Sequence, residues 1–201
     1  ADCSEARLVP HRVSDDRANM EAYVVDGDFS IPAQGRQLYK ALVVRAGDVL
    51  LVQLLGQSYD PGIGIASTTL DATAAFEDVL PEGRPELVVH VRDWGGSFDG
   101  DVEESGSEHH LIVCSTDVGA LQCFTVSLSQ VSVSGSDEGQ VYEGFCVEAS
   151  FTEGRATFTR CTDFSGHAEP FIEGQHDVRM LLQRGDLRWP DVWLPLETAG
   201  A

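Results

Sequence analysis

The sequence predicts a mainly β protein: a single β-sandwich or flattened barrel of about nine antiparallel strands, with one short helix near residues 70–80. Three observations carry this expectation. Short segments of alternating apolar and polar residues recur along most of the chain, separated by Gly, Asp, Ser and Pro. Two cysteine pairs sit symmetrically about turn-like centres, as cross-strand pairs in hairpins do. No internal repeat or linker interrupts the pattern, so residues 1–201 are expected to form one β-rich domain.

Residues 1–20 are expected to be irregular or to hold a short helical turn, with Ser14 as its N-cap. A strand follows near Glu21 to Val25, and "VDGDFSIPAQG" is turn-rich. "QLYKALVVR" and "VLLVQLLG" form a hairpin about Ala46-Gly47-Asp48. The second of these is apolar on both faces and is therefore expected at the centre of a sheet, covered on both sides. "SYDPGIGIAS" is a glycine-rich loop. In "LDATAAFEDVL", Thr68 or Thr69 can cap a helix and Asp71 suits its first turn. Ala72, Phe76, Val79 and Leu80 then form one stripe, and Pro81-Glu82-Gly83 ends the segment. Strands are expected at Glu86 to Arg92, His109 to Ser115, Leu121 to Ser134, Val141 to Phe151, Arg155 to Phe164, Asp177 to Gln183 and Leu187 to Leu196.

The cysteines fix two registers. In "LIVCSTDVGALQCFTV" a two-residue turn at Val118-Gly119 sets Cys114 opposite Cys123, at a non-hydrogen-bonded position where Cα atoms come closest. In "FCVEASFTEGRATFTRC" a turn at Glu153-Gly154 sets Cys146 opposite Cys161. The same register pairs Ala149 with Phe158 and Phe151 with Ala156 on one face. Disulfides Cys114–Cys123 and Cys146–Cys161 are the expectation; four cysteines allow two other connectivities, and buried thiols are the alternative state. Paired cysteines imply an oxidising, extracytoplasmic compartment: periplasm, cell surface or secretion. The opening Ala1-Asp2-Cys3-Ser4-Glu5 is compatible with a mature terminus after signal cleavage, and Cys3 is left over.

With 33 acidic against 13 basic residues the formal charge is −20, and Lys40 is the only lysine. Such a field repels phosphate backbones and anionic bilayers, so no nucleic-acid partner is expected. No run of about 18 apolar residues occurs, so no membrane insertion by a helix is expected either. A basic protein surface, a glycan or a cation is the partner class that remains, with plain solubility as the simplest use of the charge.

The densest polar stretch is "DWGGSFDGDVEESGSEHH", residues 93–110, with six carboxylates and two histidines. Asp99, Asp101 and Glu103 alternate as hard oxygen ligands for Ca²⁺, although the EF-hand glycine and distal glutamate are misplaced. A solvated hairpin loop is the expectation for the whole stretch. His109 and His110 are adjacent, so on a strand they point to opposite faces and cannot share a metal without a backbone kink. A second concentration, "TDFSGHAEPFIEGQHD", offers Asp163, His167, Glu169 and His176 as candidate hydrolytic groups. No G-x-S-x-G elbow accompanies them, and surface histidines are the simpler reading. Trp189 and Trp193 are evenly spaced and share a face of an extended chain; exposed they form a sugar platform, buried they pin a strand to the core. The function expected is binding or a structural surface role rather than catalysis, with no cofactor beyond possible Ca²⁺. The alternative is an extracytoplasmic hydrolase drawing on carboxylates and histidines from 93–110 and 163–177.

Overall fold

The computed structural model describes residues 7–31, 35–60, 66–81, 83–99, 102–117, 121–136, 139–162 and 173–185. Strands β1 (Arg7–Val13), β2 (Glu21–Ile31), β3 (Gly35–Ala46) and β4 (Val49–Asp60) form one sheet. Strands β5 (Ala66–Glu77), β6 (Glu86–Asp99), β7 (Val102–Ser115), β8 (Gln122–Ser136), β9 (Gly139–Thr152), β10 (Arg155–Arg160) and β11 (Gly174–Asp177) form a second, followed by helix α1 (Val178–Arg184). Every pairing is antiparallel and strand order follows the chain in both sheets. The predicted class, a β-sandwich or flattened barrel, is what the chain adopts.

The large sheet carries apolar side chains on both faces. On one, Leu87, Val89, Val91, Ile112 and Cys114 pack with Leu70 against Met20, Ala22, Val24, Leu42, Val44 and Leu55 of the smaller sheet and its β1–β2 connection. On the other, Val88, Leu111, Val113, Phe124, Val126, Val147 and Phe158 meet Val79 and Leu80 of the β5–β6 connection and Val178, Leu181 and Leu182 of α1. The continuous runs "LVVHV" and "LIVC" are thus the strands buried on both faces. The run "VLLVQLLG", expected in that position, is instead the edge strand β4. Its Leu55 and Gln53 point inward, while Leu50 and Leu54 remain 47% and 41% exposed. A continuous apolar run records burial on both faces only where both faces find a neighbour.

Residues 70–80 are not a helix. Leu70, Ala72, Ala74 and Phe76 alternate toward the inter-sheet core and Asp71, Thr73, Ala75 and Glu77 point outward, in a twelve-position ladder with β6. The segment satisfies a period of two as well as 3.6, and pairing with β6 outweighs the helix propensity of its alanines. The helix lies at Val178–Arg184, where a strand was expected. Asp177 caps it, its Oδ1 accepting from Met180 N at 3.1 Å, and Gly185 ends it at φ 65°. Arg7–Val13, expected to be irregular or helical, is a strand paired with β2 over its whole length.

Both predicted disulfides are present, with Cα–Cα distances of 4.0 Å for Cys114–Cys123 and 5.4 Å for Cys146–Cys161. The ladder sets Cys114 opposite Cys123, Ala149 opposite Phe158 and Phe151 opposite Ala156. Glu153 and Gly154 make the intervening turn at φ 50° and 75°. A Cβ on Gly154 would come within 2.9 Å of Pro81, so glycine both permits the turn and lets it seat on the β5–β6 connection. The proposed Val118-Gly119 turn and the Leu187 to Leu196 strand lie outside the described residues.

Candidate functional site

The 93–110 stretch is largely ladder, not loop. Asp93 pairs with Glu108, Trp94 with Ser107, Gly95 with Gly106 and Gly96 with Ser105, extending β6 and β7 well past the hydrophobic core. Alternation from Val91 and Ile112 places Asp93, Gly95, Gly106 and Glu108 on the face that, further along, meets the smaller sheet. Gln130 and Ser132 of β8 lie beside Glu108 and Gly106, and Glu143 of β9 beside Ser132. Together they line an open groove of about 500 Å³ with Asp93, Glu108 and Glu143 in its walls. Glycines thin the floor, and Gly144, at φ 126°, is obligatory because a Cβ there would collide with the Gln130 carbonyl.

A chain of hydrogen bonds holds one groove carboxylate in place. Ser127 Oγ lies 3.0 Å from His110 Nδ1, His110 Nε2 lies 3.1 Å from Glu108 Oε2, and Gln130 Nε2 donates to Glu108 Oε1 at 3.3 Å. Burial lowers the pKa of His110, against the opposing pull of Glu108. Burial raises that of Asp93, and the neighbouring Glu108 charge adds to it. The serine and histidine of this chain are absent from the groove lining, and the carboxylate end faces it.

The adjacent histidines part company as their spacing requires. A bulge opposite His109 and His110 leaves Leu128 of β8 without a partner on β7. His109 stays on the opposite face, its Nε2 3.0 Å from Nδ1 of His90. Burial, with Arg92 and the neighbouring histidines, holds the His109 pKa down at about 4, and burial lowers His90 as well. Trp94 is on that face too, 46% exposed and lying over Gly96.

Among the other sequence candidates, His176 is on β11, stacked edge-on against Phe158 with ring centroids 5.7 Å apart. Four strand spacings separate β11 from β7, about 19 Å, so the structure does not bring His176 to His110. Asp99 and Glu103 lie on β6 and β7, their side chains outside the described residues, as is the whole of Asp101. Asp163, His167, Glu169, Trp189 and Trp193 also lie outside them. Among the described residues no group of three or more His, Cys, Asp or Glu is placed to hold a metal ion. Gln130, Ser127 and Glu143 are not marked by the sequence, and Glu108 stands there only among the carboxylates of 93–110, because the groove joins four strands and only the ladder registers reveal it. Compared with protein families, curated proteins and solved structures, the chain matches none of them.

Proposed function

We propose that this disulfide-stapled β domain is exported and acts by binding, with the groove over β6–β9 as the seat for a basic segment of a partner protein. One observation supports this reading above others: the groove walls carry Asp93, Glu108 and Glu143, and no Lys or Arg lines it among the described residues. A cleft of one charge sign with low-dielectric walls concentrates ligands of the opposite sign. Glu108 is held by His110 and Gln130, so its carboxylate needs little ordering on binding. The glycan reading has less support, because no aromatic side chain lines the groove among the described residues and Trp94 faces the other way. The hydrolase reading has less support, because His176 of the 163–177 segment lies four strand spacings, about 19 Å, from His110.

The test is calorimetric titration with an arginine- and lysine-rich peptide, an acidic peptide and a neutral oligosaccharide. The basic peptide should bind and the other two should not. The double variant Glu108→Gln/Glu143→Gln should weaken binding roughly tenfold or more, as expected when partly desolvated charge pairs are lost. Asp71→Asn/Glu148→Gln, which removes the same charge from exposed positions elsewhere, should change it far less. Equal loss in both variants would mean diffuse attraction without a site.

A further inference from the structure

On the face of the large sheet opposite the groove, His90 and His109 form a pair that the binding role leaves unused. His90 pairs with Leu111 and His109 with Arg92, so the two histidines are diagonal neighbours across the β6–β7 ladder. His90 Nδ1 and His109 Nε2 are 3.0 Å apart, with ring centroids 5.2 Å apart and planes tilted by 39°. An ion bonded to two imidazole nitrogens at about 2.0–2.1 Å, with a bond angle of roughly 90–110°, requires those nitrogens to lie about 2.8–3.4 Å apart.

We infer that His90 and His109 form a two-nitrogen chelate for one divalent transition-metal ion of the zinc class, its remaining positions open to water or an outside ligand. The strands preorganise the pair, for β6 and β7 are the best-buried strands of the sheet and both imidazoles are half-buried on it. Without metal, one imidazole donates its N–H to the other. With metal, the donor's proton moves to its far ring nitrogen, so two neutral imidazoles bind through the facing lone pairs and no net proton is released. Imidazole pairs favour Zn²⁺, Cu²⁺ and Ni²⁺ and offer little to Ca²⁺ or Mg²⁺. Arg92, beside both rings, opposes an added cation, and Glu77 favours one at His90. The overall charge of −20 raises the local concentration of divalent ions around the whole surface. Two protein ligands make this a capture site and not a structural one.

The measurement is zinc titration followed by nitrogen-15 NMR of the histidine rings, in a Cys3→Ser background so that the extra thiol does not compete. The expected result is one saturable site per chain, in which the His90 Nδ1 and His109 Nε2 resonances move together to metal-bound positions. His90→Gln and His109→Gln should each abolish that site, and the melting temperature of each metal-free variant reports whether it is folded. The inference is overturned if neither resonance moves at about tenfold molar excess of zinc, or if either folded variant retains the site.

Discussion

At the scale of single residues Glu86 is a carboxylate buried at the start of β6. Its Oε2 accepts from Val79 N at 3.1 Å and Leu80 N at 3.0 Å, and its Oε1 accepts from Ser115 Oγ at 3.1 Å. It thereby satisfies the turning backbone that delivers Val79 and Leu80 to the core beneath α1. Glu86→Leu orphans all three donors and should destabilise the fold by roughly 2–4 kcal/mol in denaturant titration. Glu86→Gln keeps a carbonyl for the two N–H groups and should cost clearly less. Burial pushes the Glu86 pKa up, and the hydrogen bonds it accepts only partly offset this. A raised carboxyl pKa means that the folded state holds more protons than the unfolded one between the two values. The stability this adds is complete below the unfolded value and is lost as pH rises through the folded one. The stability of the native protein relative to Glu86→Gln should therefore fall as pH rises from acid toward neutrality; a widening advantage over that range would contradict the assignment.

Among the elements, the two disulfide-closed hairpins carry the clearest energetic consequence. Loop-closure entropy for sequence separations of 15 and 9 residues corresponds to about 3 kcal/mol for Cys146–Cys161 and about 2.5 kcal/mol for Cys114–Cys123. Replacing each pair by alanines should lower the denaturant midpoint in that order of size. The order reverses if the buried packing of Cys114 between the sheets, with Cys123 packed beside it, outweighs chain entropy. Mass measurement before and after reduction checks that neither pair is a pair of thiols in the isolated protein. These hairpins were also the most legible part of the sequence, since cysteine symmetry and apolar alternation demand the same register. Elsewhere one local pattern served two structures. Leu70 to Leu80 satisfies both periods, and only β6 decides between them. Val178, Leu181 and Leu182, with Asp177 before and Gly185 after, carried a complete helix signature that the short run of apolar residues disguised as a strand. The glycines of "DWGGSFDGDVEESGSEHH" suggest a solvated hairpin loop, yet Gly95 and Gly106 continue a ladder, and that extension creates the groove. Spacing on one strand cannot show that Glu108 and Glu143 flank the same space, because two ladder registers intervene.

For the whole molecule the dominant quantity is the charge of −20, and the compact fold concentrates it. Among the described residues the lysine and arginine ion pairs are exposed or partly exposed: Arg17 with Asp15 and Asp78, Lys40 with Asp26, and Arg160 with Glu173. Exposed pairs of this kind contribute about 0–1 kcal/mol each, so the unbalanced carboxylates outweigh them and the folded chain repels itself. Salt screens that repulsion, with a Debye length of about 10 Å at 0.1 M and about 3 Å at 1 M. Sodium chloride should therefore raise the melting temperature between low ionic strength and about 0.5 M, where screening is well developed. The same salt should weaken the basic peptide at the groove, because attraction between opposite charges is screened by the same ions. Stability and binding thus carry opposite signs of salt dependence, and calorimetry on one sample series measures both. A melting temperature that falls with salt would show that attractive pairs govern the surface. Binding that strengthens with salt would show that the groove's ligand is held by apolar contact and not by its carboxylates.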